Sequence, residues 1–177
     1  MNTESIAKLN EALRPLDLPQ RVALIAKSFP NLIFTTSFGT EDQLITWAII
    51  DGGVELEVAT HLSGPLLDHA ETLRAITQER YDMTIDTGAE NGGALWISGR
   101  SQHVVNANRD VSLVTWHADR SMLEIDPLAD WSFEEVLQAV AEHEVPINPL
   151  FGAPANVNQP TTTTVSSTKS KQANKAA

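Results

Sequence analysis

The sequence predicts an α/β fold, a mainly parallel twisted sheet flanked by helices, and three observations lead there. Short β-branched and aliphatic runs alternate with helical stretches between residues 32 and 143, the pattern that a parallel sheet with right-handed crossovers produces. The run at 32–36 (Leu-Ile-Phe-Thr-Thr) has no polar face, as a strand covered on both sides requires. The chain of 177 residues is 42% hydrophobic and only 6% aromatic, which suits one domain with an aliphatic core.

Residues 3–28 read as helical, in two pieces broken near Pro15 and Pro19, with Thr3 as N-cap and Ile6, Leu9 and Leu13 as an apolar stripe. Pro30 and Asn31 form a turn before the strand at 32–36. A polar, glycine-bearing loop follows, and the helix at 41–50 opens with two acids in its first turn, where the macrodipole favours them. Asp51, Gly52 and Gly53 end that helix, and 56–60 is the second strand. The helix predicted at 68–80 turns Leu73 and Ile76 inward and Glu71, Arg74, Glu79 and Arg80 outward. Residues 85–93 read as a glycine-rich loop and 94–98 as the third strand. Residues 111–116 and 122–125 read as a hairpin around Ala118, Asp119 and Arg120. Ser132 opens the last helix as a capping box, and that helix runs to His143 before Pro146 and Pro149. The threonines, serines and lysines of 152–177 carry few apolar side chains and predict a disordered tail behind a domain at 1–151. No repeat of 20–50 residues is apparent.

The net charge of −11 is unevenly distributed. All 23 acidic and nine of the 12 basic residues precede position 152, giving a body of −14 and a tail of +3. Such a body argues against nucleic acid as the main partner. No run reaches the ~18 apolar residues of a membrane span, and no secretory leader is visible, so the cytosol is the expected location. Without cysteine there is no disulfide framework, thiolate metal site or thiol nucleophile. His61, His69, His103, His117 and His143 fall at no common metal-ligand spacing, so no metal is expected.

The most informative segment is Ser37, Phe38, Gly39, Thr40, Glu41 and Asp42. A buried strand feeds a short loop and a helix begins at once, which would point backbone N–H groups and the Ser37 and Thr40 hydroxyls at one spot. Gly39 would let the backbone approach an anion without a Cβ in the way. An ordinary βα turn capped by serine or threonine has the same pattern. Glu41 and Asp42 point apart on a helix and suit the dipole better than acid/base work. Trp47, Trp96, Trp116 and Trp131 read as core residues. His143 suits a helix C-terminus, and Asp126 and Asp130 are either solvated or paired with substrate-binding arginines.

Taken with its neighbour Thr36, this loop resembles the modified PP-loop of the adenylylsulfate and phosphoadenylylsulfate (APS/PAPS) reductases. Trp96, Ile97, Ser98 and Gly99 are similar to that family's W-I-T-G. The stretch from Ile125 through Asp126, Pro127, Leu128, Ala129, Asp130 and Trp131 to the prolines beyond His143 is similar to its K-I-N-P-L-A-D-W … H-x-V-P-x-N-P-L. The resemblance implies a PP-loop fold of the adenine nucleotide alpha hydrolase-like type. It also implies a phosphosulfate held by the 37–42 loop, and sulfate and phosphate held by Arg100, Gln102 and Arg109 beyond Gly99. Arginine suits that role because its fork donates two parallel hydrogen bonds. Ser63 and Gly64 stand where the family's L-D-T-G ends, and the aspartate of that motif is absent. The implied activity is reduction of adenylyl sulfate to sulfite in sulfate assimilation and cysteine biosynthesis, with thioredoxin or glutathione as reductant.

That chemistry begins with a cysteine thiolate attacking sulfur, and this chain has none. Ligands for the 4Fe–4S cluster of some members are also missing, so no cofactor and no catalytic residue are assigned. Between Asp86 and Trp96 the chain skips the region that holds a Cys-Cys pair in those members. Three readings follow: a reductase whose sequence is truncated or altered, a nucleotide-binding pseudoenzyme with a regulatory role, or an ATP-dependent PP-loop enzyme. Phe38 and Glu41 follow the reductase form of the loop rather than the S-G-G-x-D-S of the ATP-cleaving relatives.

Overall fold

The break expected near Pro15 and Pro19 divides the N-terminal segment into α1 (Thr3–Leu13) and α2 (Leu18–Ser28). Both belong to a computed structural model that describes residues 3–29, 32–87, 95–97, 111–118 and 122–148. Thr3, expected as an N-cap, is instead the first helical residue of α1, whose Ile6, Leu9 and Leu13 stripe is buried as anticipated. Asp17 caps α2 in a capping box with Gln20, and Pro19 lies in the first turn, where its missing N–H costs no hydrogen bond.

The remaining elements are β1 (Ile33–Thr35), α3 (Thr40–Asp51), β2 (Glu57–Thr60), α4 (Pro65–Tyr81), β3 (Asp86–Thr87), β4 (Leu95–Ile97), β5 (Val114–His117), β6 (Met122–Ile125) and α5 (Phe133–Glu142). They build a six-stranded sheet in the order β3-β2-β1-β4-β6-β5. Every pairing is parallel except β5 with β6, the expected hairpin. The two-residue β3 falls inside the segment read as a loop. It pairs Asp86 with Ala59 and Thr87 with Thr60, both of its residues are exposed, and it therefore carries no hydrophobic signature.

The core gathers the stripe of α1, Val22 and Ile25 of α2, Phe34 of β1, and Leu44, Ile45 and Ile49 of α3 with Ile125 and Val136. α3 is buried almost all round, packed between α2 and α5, which is why its sequence has little amphipathic contrast. On α4 the inward positions are Leu73 and Thr77. Ile76, expected inward, is exposed, because the helix touches its neighbours along the i, i+4 row that starts at Leu73. Trp116, expected in the core, lies exposed on edge strand β5, whereas Trp47 and Trp131 pack against the core as partly buried residues. The side chain of Trp96, the Pro30–Asn31 turn and the 152–177 tail lie outside the described residues. No helix among the described residues is long and apolar enough to cross a membrane.

A candidate anion site at the switch point of the sheet

From β1 the chain winds outward through β2 to β3, then returns to lay β4 on the other side of β1. Such a reversal opens a crevice beyond the carboxyl ends of the two strands, and ligands of open α/β sheets bind there. Here the switch point falls between β1 and β4, where Phe34 pairs with Ile97. The 37–42 loop leaves β1 at this crevice, and β4 runs beside it in the same direction towards Gly99. Gly99, Arg100, Gln102 and Arg109 lie outside the described residues.

Thr36 is fully buried and anchors the loop at both ends of its own residue. Its N–H donates to Ala59 O at 2.8 Å, and its hydroxyl oxygen accepts from Phe38 N–H at 2.9 Å. Phe38 is buried and takes a left-handed φ of 63°. Gly39, the N-cap of α3, has φ −67° and ψ 165°, which any residue adopts, and it offers no side chain to the helix end. The demanding backbone angle of the loop thus falls not on the glycine but on Phe38. Its ring is drawn into the core, and that burial holds the chain there.

Ser37 is bonded within the loop itself. Its N–H and its hydroxyl both donate to Asp42 Oδ2, each at 2.7 Å. The donors expected to face a ligand are already engaged by the chain's own carboxylate. Asp42 is 9% exposed. Burial pushes its carboxyl above the ordinary range, against the opposing pull of the Ser37 hydrogen bonds, and neighbouring Glu41 adds repulsion. Thr40 is buried as the first residue of α3.

The next βα unit repeats the arrangement. Leu62 N–H donates to Thr60 Oγ1 at 3.2 Å, and α4 is N-capped by Gly64, again without a side-chain cap. Gly64 has φ 55° and ψ −141°, a region that only glycine enters without strain. Ser63 is exposed beside it. Because β1 and β2 are parallel neighbours, the loops at 37–39 and 61–64 leave the same edge of the sheet.

Asp130, left open on the sequence between solvation and pairing with substrate-binding arginines, forms a two-pronged ion pair with Arg21 at 2.6 and 2.9 Å. The Arg21 guanidinium also donates to the carbonyls of Leu13, Leu16, Arg14 and Pro127. Asp126 is partly buried, and its N–H donates to Leu113 O at 2.8 Å. His143 follows the last turn of α5 and stacks on Trp47, with ring centroids 3.9 Å apart. Among the described residues no group of three or more histidines, aspartates or glutamates could hold a metal ion. The sequence reading passed over Arg21 and the buried contact of Gln43 with Thr77; an arginine within an apolar helix is the one signal that pointed to the first.

Over 86% of its length the chain is 29% identical to an adenosine 5'-phosphosulfate reductase of Sinorhizobium fredii, covering 78% of that protein. A second protein of that name, from Rhizobium meliloti, is also 29% identical, over 80% of this chain and 68% of its own. The chain resembles the phosphosulfate reductases. The alignment with the Sinorhizobium reductase runs to 196 positions, more than the 177 residues present, so that reductase holds residues this chain skips. Among solved structures, a phosphoadenylyl-sulfate reductase from Candida auris in a phosphate complex superposes with a TM-score of 0.65. It covers 85% of this chain and 91% of its own at 18% identity, and so shares the fold. No family model matches. The reductase family's iron–sulfur cluster does not fit this chain, which has no cysteine to ligate it.

Proposed function

We propose that the chain binds an adenine nucleotide of the phosphosulfate class at the β1–β4 switch point and does not carry out the thiol step of sulfate reduction by itself. The observation that supports this reading is the meeting of two reductase-like motifs at one crevice. The 37–42 loop leaves β1, and the strand that leads to Gly99 runs parallel beside it. In this reading the α3 N-terminus faces the anion, Ser63 and Gly64 border the pocket, and Arg100, Gln102 and Arg109 supply positive charge. A local cradle of this kind is needed to hold an anion on a chain of net charge −11.

The thiol step needs a nucleophile that forms a bond to sulfur and later gives it up to thioredoxin or glutathione. No residue here can form that disulfide-like intermediate. The chain is thus a nucleotide-binding partner or regulator in the cytosol, its body at 1–151 acting as one domain. Calorimetry with AMP, adenosine 5'-phosphosulfate and its 3'-phosphorylated form tests the binding, and a sulfite assay with thioredoxin or glutathione tests the chemistry. Binding without sulfite release is expected. Absence of binding at millimolar concentration refutes the site, and sulfite formation by pure protein refutes the inactivity.

A further inference from the structure

The Ser37–Asp42 contact bears on how the proposed site is filled. Ser37 is an exposed residue of the loop read above as the anion site, and both of its donors end on one carboxylate oxygen at 2.7 Å. A carboxylate oxygen is chemically close to the terminal oxygen of a phosphate or sulfate. Each accepts from N–H and O–H donors with a negative charge, and such charge-assisted bonds are the strong ones. The two therefore compete for the same donors, and like charge keeps them from sharing the loop.

We propose that Asp42 is a built-in occupant of the anion loop, and that a ligand anion gains the Ser37 amide and hydroxyl only when this carboxylate releases them. The proposal rests on reading that loop as the anion site of the nucleotide, and it adds a condition under which the site opens. The direction of the Asp42 carboxyl is consistent with such a latch, since burial favours its neutral form against the Ser37 bonds. Of the charged groups around it, Glu41 acts on Asp42 directly and opposes its ionisation. α2 and α5 pack on α3, but the guanidinium of Arg21 is committed to Asp130, and His143 beyond α5 to the Trp47 ring. His61 lies in the loop after neighbouring β2, which leaves the same end of the sheet.

Inorganic sulfate is a suitable probe because it stays fully ionised between about pH 5 and pH 8, the range in which histidine titrates. Calorimetric titration would compare the unsubstituted chain with Asp42→Asn and Asp42→Ser, each checked for folding by thermal melting. Both variants remove the resident charge, so either one that folds suffices. At about pH 8 they are expected to bind sulfate about tenfold more tightly, the scale of removing one like charge within hydrogen-bond reach. The unsubstituted chain is expected to gain affinity as acidification protonates Asp42, a contribution the variants lack. Adding Ser37→Ala to Asp42→Asn is expected to cancel the gain, since the released hydroxyl is what the sulfate acquires. Equal or weaker sulfate binding by the variants overturns the proposal, as does absence of sulfate binding in every protein. Parallel titrations with AMP separate the two ideas. AMP bound equally by all proteins leaves the nucleotide reading standing and removes the latch, whereas AMP bound by none removes both.

Discussion

Phe38 and Gly39 exchange the roles that their side chains suggest. A Cβ built on Gly39 meets only Ser37 Oγ at 3.8 Å, an ordinary contact, and the backbone angles suit any residue. Gly39→Ala should therefore alter stability by no more than about 1 kcal/mol, with a gain favoured because the unfolded chain loses freedom. Phe38→Gly releases a left-handed strain of about 1–3 kcal/mol. It also forfeits a buried ring, a truncation that costs about 3–5 kcal/mol, so a net loss of roughly 2 kcal/mol is expected. Urea unfolding of the two variants checks the order, and a greater loss in Gly39→Ala would reverse the assignment. Asp42 sets a pH effect on stability. Its carboxyl is raised above 3.8 in the folded chain, so in the interval above 3.8 the folded state binds more protons than the unfolded one. Stability falls as pH rises through that interval and stays lowered at neutrality. The melting-temperature advantage of Asp42→Asn over the unsubstituted chain should be largest near neutral pH and shrink as acid protonates both states. An advantage that grows with acid would contradict the raised carboxyl.

Between elements, the Arg21–Asp130 pair ties the α1–α2 turn to the segment that links β6 to α5. Its guanidinium is satisfied by five main-chain and side-chain partners, the condition under which a buried charge is tolerated. Removing one partner alone strands the other, so Arg21→Ala and Asp130→Ala should each cost about 3–5 kcal/mol. The double variant should cost clearly less than the sum, because the second loss no longer strands a charge. Additive losses in denaturant titrations would show that the two side chains act separately. This pair also marks where sequence reading stops. The strands β1, β2 and β4, the β5–β6 hairpin and the Ser132 capping box were legible because apolar runs and cap residues are local signals. β3 was not, because two exposed residues are recruited by the edge of β2 rather than by their own pattern. Ile76 and Trp116 misled for the related reason that an apolar side chain does not announce which face of its element is covered.

For the whole molecule, the fold class was legible from the alternation of strand and helix runs, and the likeness to the phosphosulfate reductases from short motifs after β1, along β4 and from β6 through α5. The occupancy of the 37–42 loop was not. That Asp42 satisfies Ser37 depends on a contact across five residues of turn and helix, which composition and spacing leave open. The aspartate read as a dipole partner of α3 does lie in the first turn as expected, but its carboxylate points back into the loop.

The strand order has a kinetic consequence. β5 and β6 are consecutive in sequence and joined by only four residues, so their pairing closes a small loop at little entropic cost. The crevice between β1 and β4 needs Phe34 to find Ile97 across the two βα units that lie between them in sequence. Contacts of such separation form slowly, because loop entropy is lost before they contribute. Refolding should thus protect the amides of the hairpin before those shared by β1 and β4, as pulsed hydrogen exchange can time. The walls of the crevice would then be among the last parts of the sheet to assemble, and earlier protection at Phe34 than at Leu123 would reverse that sequence of events.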